Sequence, residues 1–196
     1  MDSRLPPSEH LSRPWRIQAI AHGFRLEDVW ALPVEGSAGD LDAAVEMIGS
    51  FDPTQSDSLP SRALWALRDL LGRLGLGRIS DSADERPRGS LAGRLPADLV
   101  GTAEDIRFGR LPFVPLYRTD DEFAAEIANS TMHGVLHLAW AERSPGRFQG
   151  QMAVYVKPHG RFGEAYMAAI RPFRHRVVYP ALMRQIEQAW AQRRPT

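Results

Sequence analysis

The stretch FQGQMAVYVKPHGRFGEAYMAAIRPFRHRVVYPALMRQIEQAW, from Phe148 to Trp190, decides the predicted fold. Its beginning, Phe148 to Lys157, alternates apolar and polar side chains, which is typical of a half-buried β-strand. Its remainder, Phe162 to Trp190, has apolar side chains at helical spacing, interrupted by Pro172 and Pro180. Because each proline removes a backbone hydrogen bond, we expect a bend at each. The stretch predicts a strand followed by one long, bent C-terminal helix.

Three further strands are predicted just before this stretch, at Phe113 to Arg118, Glu122 to Asn129 and Met132 to Ala141. The turn-forming loop Arg143 to Arg147 connects the last of them to the strand at Phe148, so the four strands form an antiparallel meander. Met132 to Ala141 is apolar on both faces. Such a strand needs cover on both sides, or a cavity on one side.

The N-terminal half of the chain predicts one more strand and two short helices. The strand lies within Phe24 to Val34, where Pro33 suits a sheet edge. A first helix follows, with Asp40 as its N-cap and Gly49 at its end, and a second helix runs from about Ser61 to Leu74. The predicted fold class is therefore α+β, an antiparallel sheet wrapped around the long bent C-terminal helix.

The domain organisation follows from composition along the chain. Residues 1–13 are polar and aperiodic, which predicts a flexible tail, and residues 14–194 form a single domain. A Gly- and Arg-rich interval near residues 75–101 is predicted to be a mobile loop. Its Gly75-Leu76-Gly77 sequence lacks the preceding strand and the third glycine of a dinucleotide-binding loop.

Overall composition excludes several classes of protein. The 24 basic residues balance 24 acidic ones, which argues against charge-driven nucleic-acid binding. The absence of cysteine removes disulfides, thiolate nucleophiles and thiolate metal sites. No apolar leader and no stretch approaching the ~20 apolar residues of a membrane span is present. We therefore expect a cytoplasmic location, no membrane span, no metal site and no cofactor.

Two histidines on one strand are the main candidates for chemistry. His133 and His137 are predicted on the same strand face, about 13 Å apart at ~3.3 Å per residue. That separation is too large for one zinc ion. His137 is the predicted acid or base, with Tyr155 as the second catalytic residue. A surface or purely hydrogen-bonding role for both histidines is the alternative.

A further set of side chains could line an apolar pocket between the sheet and the C-terminal helix. Aromatic residues in such positions are more often core, but a cavity would draw on the same elements. For Arg118, the favoured interpretation is a turn ion pair with Asp120 or Asp121, since an inward guanidinium requires an anionic ligand. The predicted ligand-binding residues are Trp140, His133, Tyr166, Ile170, Arg118 and Arg171.

Three segments resemble a known family. They are FGEAYMAAIRPFRHRVVYPALMR (Phe162 to Arg184), LWALRDLLGRLGL (Leu64 to Leu76) and LYRTDDE (Leu116 to Glu122). Together they resemble the bacterial family catalogued as domain of unknown function 2867, over roughly Phe24 to Arg184. The order of elements is similar to the helix-grip architecture of START and birch-pollen-allergen-like domains. That resemblance implies a cavity between the sheet and the last helix, without fixing a function.

Three functions follow as hypotheses. The first is binding of a small, largely hydrophobic molecule in a cavity between the sheet and the C-terminal helix. The second is a cavity enzyme of the cyclase, dehydratase or isomerase type that uses a histidine as acid or base. The third is a non-catalytic protein-interaction module, with a homodimer as one form, that uses exposed arginines such as Arg171, Arg174, Arg176 and Arg184.

Overall fold

The computed structural model describes residues 3–50, 87, 89–106, 108 and 113–193. Five strands in this part of the chain form one antiparallel sheet in the order β1-β5-β4-β3-β2. They are β1 Arg25–Gly36, β2 Val114–Arg118, β3 Glu122–Ala128, β4 Met132–Ser144 and β5 Arg147–Pro158. The predicted meander and the α+β class are confirmed. The predicted second helix and Gly75-Leu76-Gly77 lie outside the described residues.

Helices precede and follow the strands in the chain and pack against the sheet. Short helices α1 (Pro7–Leu11) and α2 (Ile17–Ile20) precede β1, and α3 (Leu41–Gly49) follows it. Two 3-10 turns, Leu91–Arg94 and Ala97–Leu99, come before β2. The chain closes with α4 (Gly160–Phe173), a π-helical turn (Arg174–Val178) and α5 (Tyr179–Arg193). Together these last three elements form the predicted long C-terminal helix.

Strand β4 lies in the middle of the sheet, and elements packed on each side cover both of its faces. Leu138 and Trp140 point to the side of α3 and α5, where they join a core cluster with Phe123, Met152 and Ile186. This side is called the helix face. His133 and His137 point to the opposite side, called the polar face, which also carries Glu122, Glu126, Gln151 and Tyr155. The predicted division of β4 side chains between its two faces is confirmed.

Strand β1 is an edge strand, as Pro33 predicted. Its pairing with β5 loses register between Ala31 and Glu35, the interval that holds Pro33. The outer edge of β1 is partly covered by the N-terminal segment, residues 3–21: the Leu5 N–H donates to the Val29 carbonyl at 2.8 Å and the Ala31 N–H to the Ser3 carbonyl at 2.7 Å. The N-terminal segment therefore packs on the sheet, where the sequence predicted a tail.

The bend of the C-terminal helix takes the form of a π-helical turn directly after Pro172. Pro172 has no N–H to donate, and a π turn admits one residue more than an α turn, which rotates the following residues about the axis. The buried residues of α5 are accordingly Tyr179, Met183, Ile186 and Trp190. Val177 in the π-helical turn and Leu182 in α5 are only half-buried.

One local prediction is only partly right and another is wrong. Asp40 occupies the N-cap position of α3, but its side chain makes no capping hydrogen bond to that helix. Its carboxylate instead accepts from the N–H and the hydroxyl of Ser37, the reciprocal half of a capping box that begins at Ser37. Arg118 does not pair with Asp120 or Asp121. Its Nη1 lies 3.6 Å from Asp42 and 3.5 Å from Asp105, because β2 is an edge strand beside α3 and the 101–106 segment.

Candidate functional site

The polar face of the sheet carries an unusual density of buried titratable side chains. Glu122, Glu126, His133 and His137 are all at most 5% exposed. The cover is supplied by the N-terminal segment and by the 3-10 turns near residue 91, which contribute the buried Ile17, Ile20, Leu91 and Leu99. Buried ionisable groups are costly unless they are paired, so each needs identified partners.

Glu122 is the centre of the hydrogen-bond network. Its carboxylate accepts from the Tyr117 hydroxyl at 2.8 Å, from the His137 Nε2–H at 2.9 Å and from the backbone N–H groups of Arg16 and Ile17 at 2.8 and 3.3 Å. The two backbone donors lie at the N-terminus of α2, so the carboxylate also caps that end of the helix. Four donors satisfy the carboxylate without a solvent contact.

The partner of Glu122 fixes the state of His137. A carboxylate can only accept, so the proton of neutral His137 lies on Nε2, and Nδ1 carries a lone pair. His137 Nδ1 is buried and makes no hydrogen bond to any described residue. A histidine held by a carboxylate on one nitrogen and free on the other has the geometry of a general base.

His10 joins the two residues predicted to be catalytic. Its Nδ1 lies 2.6 Å from Gln151 Oε1 and its Nε2 lies 2.9 Å from the Tyr155 hydroxyl. Its ring also meets the His137 ring edge-on, with 5.2 Å between centroids. Since an amide oxygen only accepts, His10 donates from Nδ1 and accepts from Tyr155 at Nε2. His137 and Tyr155 are thus bridged by a histidine of the N-terminal segment.

Burial and proximity set the protonation states. Burial, followed by the repulsion that a protonated His137 exerts, lowers the pKa of His10 from 6.5 to about 4, so His10 is neutral at pH 7. Burial acts to raise the pKa of Glu122, but the hydrogen bond of His137, the charge that His137 gains when it is protonated, and the other donors outweigh burial and lower that pKa. Burial also raises the pKa values of Tyr117 and Tyr155, which keep their protons.

Three polar atoms around His10 have no partner. Besides His137 Nδ1, these are Trp15 Nε1 and Gln151 Nε2, each buried and each without a hydrogen bond among the described residues. The Trp15 ring lies 6.2 Å from His10 and 5.9 Å from His137 by centroids. The set comprises one acceptor and two donors, which matches a small molecule that carries a carbonyl or hydroxyl oxygen.

A second histidine–glutamate pair repeats the arrangement four residues away on both strands. His133 Nε2 lies 2.8 Å from Glu126, which also accepts from the Leu91 N–H at 3.0 Å and from the Ser90 hydroxyl. No atom of this second pair is a buried polar atom that lacks a partner among the described residues. The Glu126 pair therefore anchors the 3-10 turn at Leu91 and serves as a structural counterpart of the Glu122 pair.

The structure separates the predicted site residues into two groups. His137, Tyr155 and His133 share the polar face. Trp140 lies on the helix face, where its indole N–H donates to the Ser37 carbonyl at 2.7 Å. Tyr166 and Ile170 are half-buried on α4, Arg171 is exposed, and Arg118 is held by Asp42 and Asp105. The predicted ligand-binding residues are therefore spread over several parts of the surface and core.

Sequence reasoning missed His10, Trp15, Glu122 and Gln151. His10 lies in the predicted tail and Trp15 just after it, where no periodicity marks either residue as buried. A signal for Glu122 was present: the turn between Asn129 and Met132 sets the register that places Glu122 opposite Ala139, diagonally next to His137. Alternation alone assigned Glu122 to a solvent-facing side.

Comparison with known proteins adds the family. The family model described as Protein of unknown function (DUF2867) matches residues 20–181. The chain belongs to this family. Neither the search of curated proteins nor the search of solved structures found a match. The DUF2867 match begins within α2, so Glu122, His137, Gln151 and Tyr155 fall inside the matched span and His10 and Trp15 fall outside it.

Two features are absent from the described residues of the DUF2867 chain. No helix there combines the length and the apolar composition that a bilayer crossing needs. No three His, Asp or Glu side chains are grouped there in a way that could hold a metal ion.

Proposed function

We propose that this protein is an acid–base enzyme that acts on a small carbonyl compound at the polar face, with His137 as the base. The observation that carries the proposal is the unpartnered, buried Nδ1 of His137 opposite its hydrogen bond to Glu122. Buried groups with perturbed pKa values surround it, which is typical of active sites. The reaction class is that of an isomerase or dehydratase.

The proposed chemical step is proton removal from the carbon next to the carbonyl. Nδ1 of His137 takes the proton, the C–H bonding pair moves into an enolate, and Trp15 Nε1–H and Gln151 Nε2–H donate to the enolate oxygen. Glu122 stabilises the imidazolium that forms. Return of the proton to a neighbouring carbon or oxygen completes an isomerisation, whereas expulsion of a β-hydroxyl as water completes a dehydration.

Substrate entry requires the N-terminal segment to move, because the three unpartnered atoms are shielded from solvent. Each unsatisfied buried group costs about 1–3 kcal/mol. Those costs are relieved when the segment lifts, so they favour opening. A substrate that satisfies the three atoms would then favour reclosure.

Hydrogen exchange into a panel of small ketones, aldehydes and hydroxyketones in D₂O tests the proposal. Proton NMR follows deuterium incorporation next to the carbonyl. We expect catalysed exchange for at least one compound, and a fall of about 10²-fold or more in the His137→Gln variant, the scale of general-base catalysis.

The matched control is His133→Gln, which removes the second histidine–glutamate pair from the same face of the same strand. Its exchange rate should stay within a few-fold of that of the unmodified protein. The absence of exchange for the whole panel, or equal loss in both variants, would contradict the assignment of His137.

The hydrophobic-ligand hypothesis for the helix face stays a prediction. The described residues there form a core cluster that includes Trp30, Trp140, Met183 and Trp190. The interaction-module hypothesis also stays a prediction, with one change in its residues: Arg174 faces Asp28 rather than solvent. Arg171, Arg176 and Arg184 are exposed and remain available to it.

A further inference from the structure

A second cluster of polar side chains lies at the junction of β1 and the π-helical turn. At its centre is Asp28, whose side chain is fully buried. The pairing of β1 with β5 is irregular between Leu26 and Asp28, and this irregularity lies opposite the turn Arg174–Val178. π-helical turns and β-bulges both occur frequently at functional sites.

Asp28 accepts from three donors. Arg174 Nη2 lies at 2.8 Å, His175 Nε2 at 2.6 Å and the Tyr179 hydroxyl at 3.1 Å. Arg4 Nη2 lies 3.9 Å away, and Glu27 lies 3.7 Å from Arg174 and pairs with Arg25. Both carboxylates are therefore compensated by guanidinium groups, and neither requires a further cation.

Two donors in the cluster have no acceptor. Trp30 Nε1 and Arg174 Nε are buried and make no hydrogen bond to any described residue. Trp30 is two residues from Asp28 along β1, and its ring lies 4.7 Å from Tyr179 and 6.1 Å from His175 by centroids. Both unpartnered atoms are donors, and the described part of the cluster contains no unpartnered buried acceptor. An acceptor placed within reach of both donors would satisfy them.

We propose that this cluster is a binding site for a carboxylate group of a small molecule, held by Trp30 Nε1–H and Arg174 Nε–H. A carboxylate offers several lone pairs, and a hydrogen bond between the ionised guanidinium and an ionised acceptor is stronger than one to a neutral hydroxyl or water. The cluster lies on the helix-face side of the sheet, so the proposal is independent of the reaction assigned to His137.

The route to the two donors passes the side chains of Arg174 and His175, which are 14% and 17% exposed. Entry of the ligand requires His175 to move aside from Asp28. Beyond Trp30 and Tyr179 the surroundings are the apolar helix-face core. A molecule with an apolar remainder would therefore place its carboxylate at Trp30 Nε1–H and Arg174 Nε–H and its remainder against the helix-face core.

Indole N–H resonances in ¹H–¹⁵N NMR spectra test the proposal directly. The chain has 5 tryptophans, whose indole signals are assigned by single Trp→Phe variants. Acetate and hexanoate are titrated at constant ionic strength against sodium chloride, with acetamide as the neutral isostere of acetate. We expect a saturable shift of the Trp30 indole signal with both carboxylates and none with acetamide or chloride.

Two variants remove one donor each. Trp30→Phe keeps an aromatic ring and removes Nε1–H, and Arg174→Lys keeps a cation for Asp28 and removes Nε–H. In each we expect about a tenfold loss of carboxylate affinity, the size of a hydrogen bond to a charged group. Trp140→Phe, whose indole N–H already bonds Ser37, is the matched control and should bind as the unmodified protein does.

Several outcomes would overturn the carboxylate site. They are a Trp30 signal that does not respond, an equal response to acetamide, and unchanged affinity in Arg174→Lys. If Trp30→Phe does not fold, the titration of the unmodified protein and of Arg174→Lys decides the question. A purely structural role for the cluster predicts loss of stability in these variants and no carboxylate-specific shift.

Discussion

Single residues on the polar face are defined by how completely their hydrogen bonds are satisfied. Glu122 is a carboxylate in a solvent-free setting, and it is tolerated because four donors converge on it. His137 next to it keeps one nitrogen without a partner among the described residues. The contrast between a satisfied carboxylate and an unsatisfied base is the chemical basis of the proposed site.

Glu122→Gln is expected to lower the free energy of unfolding by about 2–4 kcal/mol. A glutamine amide nitrogen cannot accept, so at least one of the four donors is left without a partner. Urea denaturation at pH 7 measures the change. The exposed Glu187→Gln on α5 is the control and should change stability by less than about 0.5 kcal/mol. Equal effects of the two substitutions would contradict the role assigned to Glu122.

His10 should make stability depend on pH in a defined window. Its pKa is about 4 in the folded protein and ordinarily 6.5, so below pH 6.5 the unfolded chain binds a proton that the folded chain does not. The free energy of unfolding therefore falls as pH decreases from about 6.5 to 4, by roughly 3 kcal/mol from this group. Below pH 4 the contribution of His10 is exhausted.

The measurement is urea denaturation at several pH values between 4 and 7.5. Glu122, whose pKa is lowered on folding, contributes to stability above its ordinary pKa of 4.5. This contribution is lost as pH falls below that value, so it changes stability in the same direction as His10 does. His10→Gln should flatten the profile between pH 6.5 and 5 while leaving the Glu122 contribution. A variant profile parallel to that of the unmodified protein would show that His10 does not titrate as described.

At the scale of elements, the C-terminal helix is fixed to the sheet at identifiable points. The start of α4 lies against the β3–β4 turn: a Cβ at Gly163 would stand 2.3 Å from the Thr131 carbonyl oxygen. Further along, Asp28 of β1 binds Arg174, His175 and Tyr179 around the π-helical turn. Trp190 Nε1–H then donates to the Glu35 carbonyl at 3.1 Å. These contacts hold the helix along β1.

Gly163→Ala should move α4 away from the β3–β4 turn and destabilise the protein by about 1–3 kcal/mol. The added methyl group collides with backbone atoms, which cannot give way as a flexible side chain does. Gly39→Ala, where nothing lies within 4 Å of the added Cβ, is the matched control and should be close to neutral. Thermal denaturation distinguishes the two. A neutral Gly163→Ala would mean that α4 does not dock as closely as described.

Asp28→Asn should destabilise the protein by about 3 kcal/mol. The substitution leaves the guanidinium of Arg174 largely buried without its charge partner. The comparison is Asp98→Asn, which removes an exposed ion pair with Arg16 and should cost less than about 1 kcal/mol. Urea denaturation of both variants measures the difference. Similar costs would show that Asp28 does not stabilise the junction between β1 and the π-helical turn.

On the scale of the whole molecule, one sheet separates two unlike interiors. The helix face is an apolar core closed by α3 and α5, whereas the polar face is closed by short N-terminal elements over buried hydrogen bonds. Elements of four or five residues bury little apolar surface, and three buried polar atoms at this cover have no partner in the part of the chain that the structure describes. The N-terminal segment should therefore be the less stable of the two covers.

Native-state hydrogen exchange should reveal this difference. The Leu5 and Ala31 amides, which link the N-terminal segment to β1, are expected to exchange through local opening, well before the β4 and β5 amides in the centre of the sheet. Mass spectrometry of peptides that cover residues 3–31 and 132–158 measures both. Exchange of the two regions at one common rate would contradict a cover that opens independently.

Composition and periodicity by themselves determined the α+β class, the meander, the edge position of β1 and the long helix broken near Pro172. These features depend on local patterns, namely alternation, turn residues and proline, which act within a few residues. They also determined that His133 and His137 share one face of β4. That step needs only the period of a strand.

Tertiary structure alone decided which side chains meet. His10 contacts Gln151 and Tyr155 across more than 140 positions in sequence, and Arg174 reaches Asp28 across a similar separation. Contacts of this kind depend on strand order and on which segment covers which face. A short polar segment has no hydrophobic periodicity that would indicate either of these. The pairing of Glu122 with His137 is an intermediate case. The register of β3 and β4 could have indicated it, but only the tertiary structure placed α2 on the carboxylate.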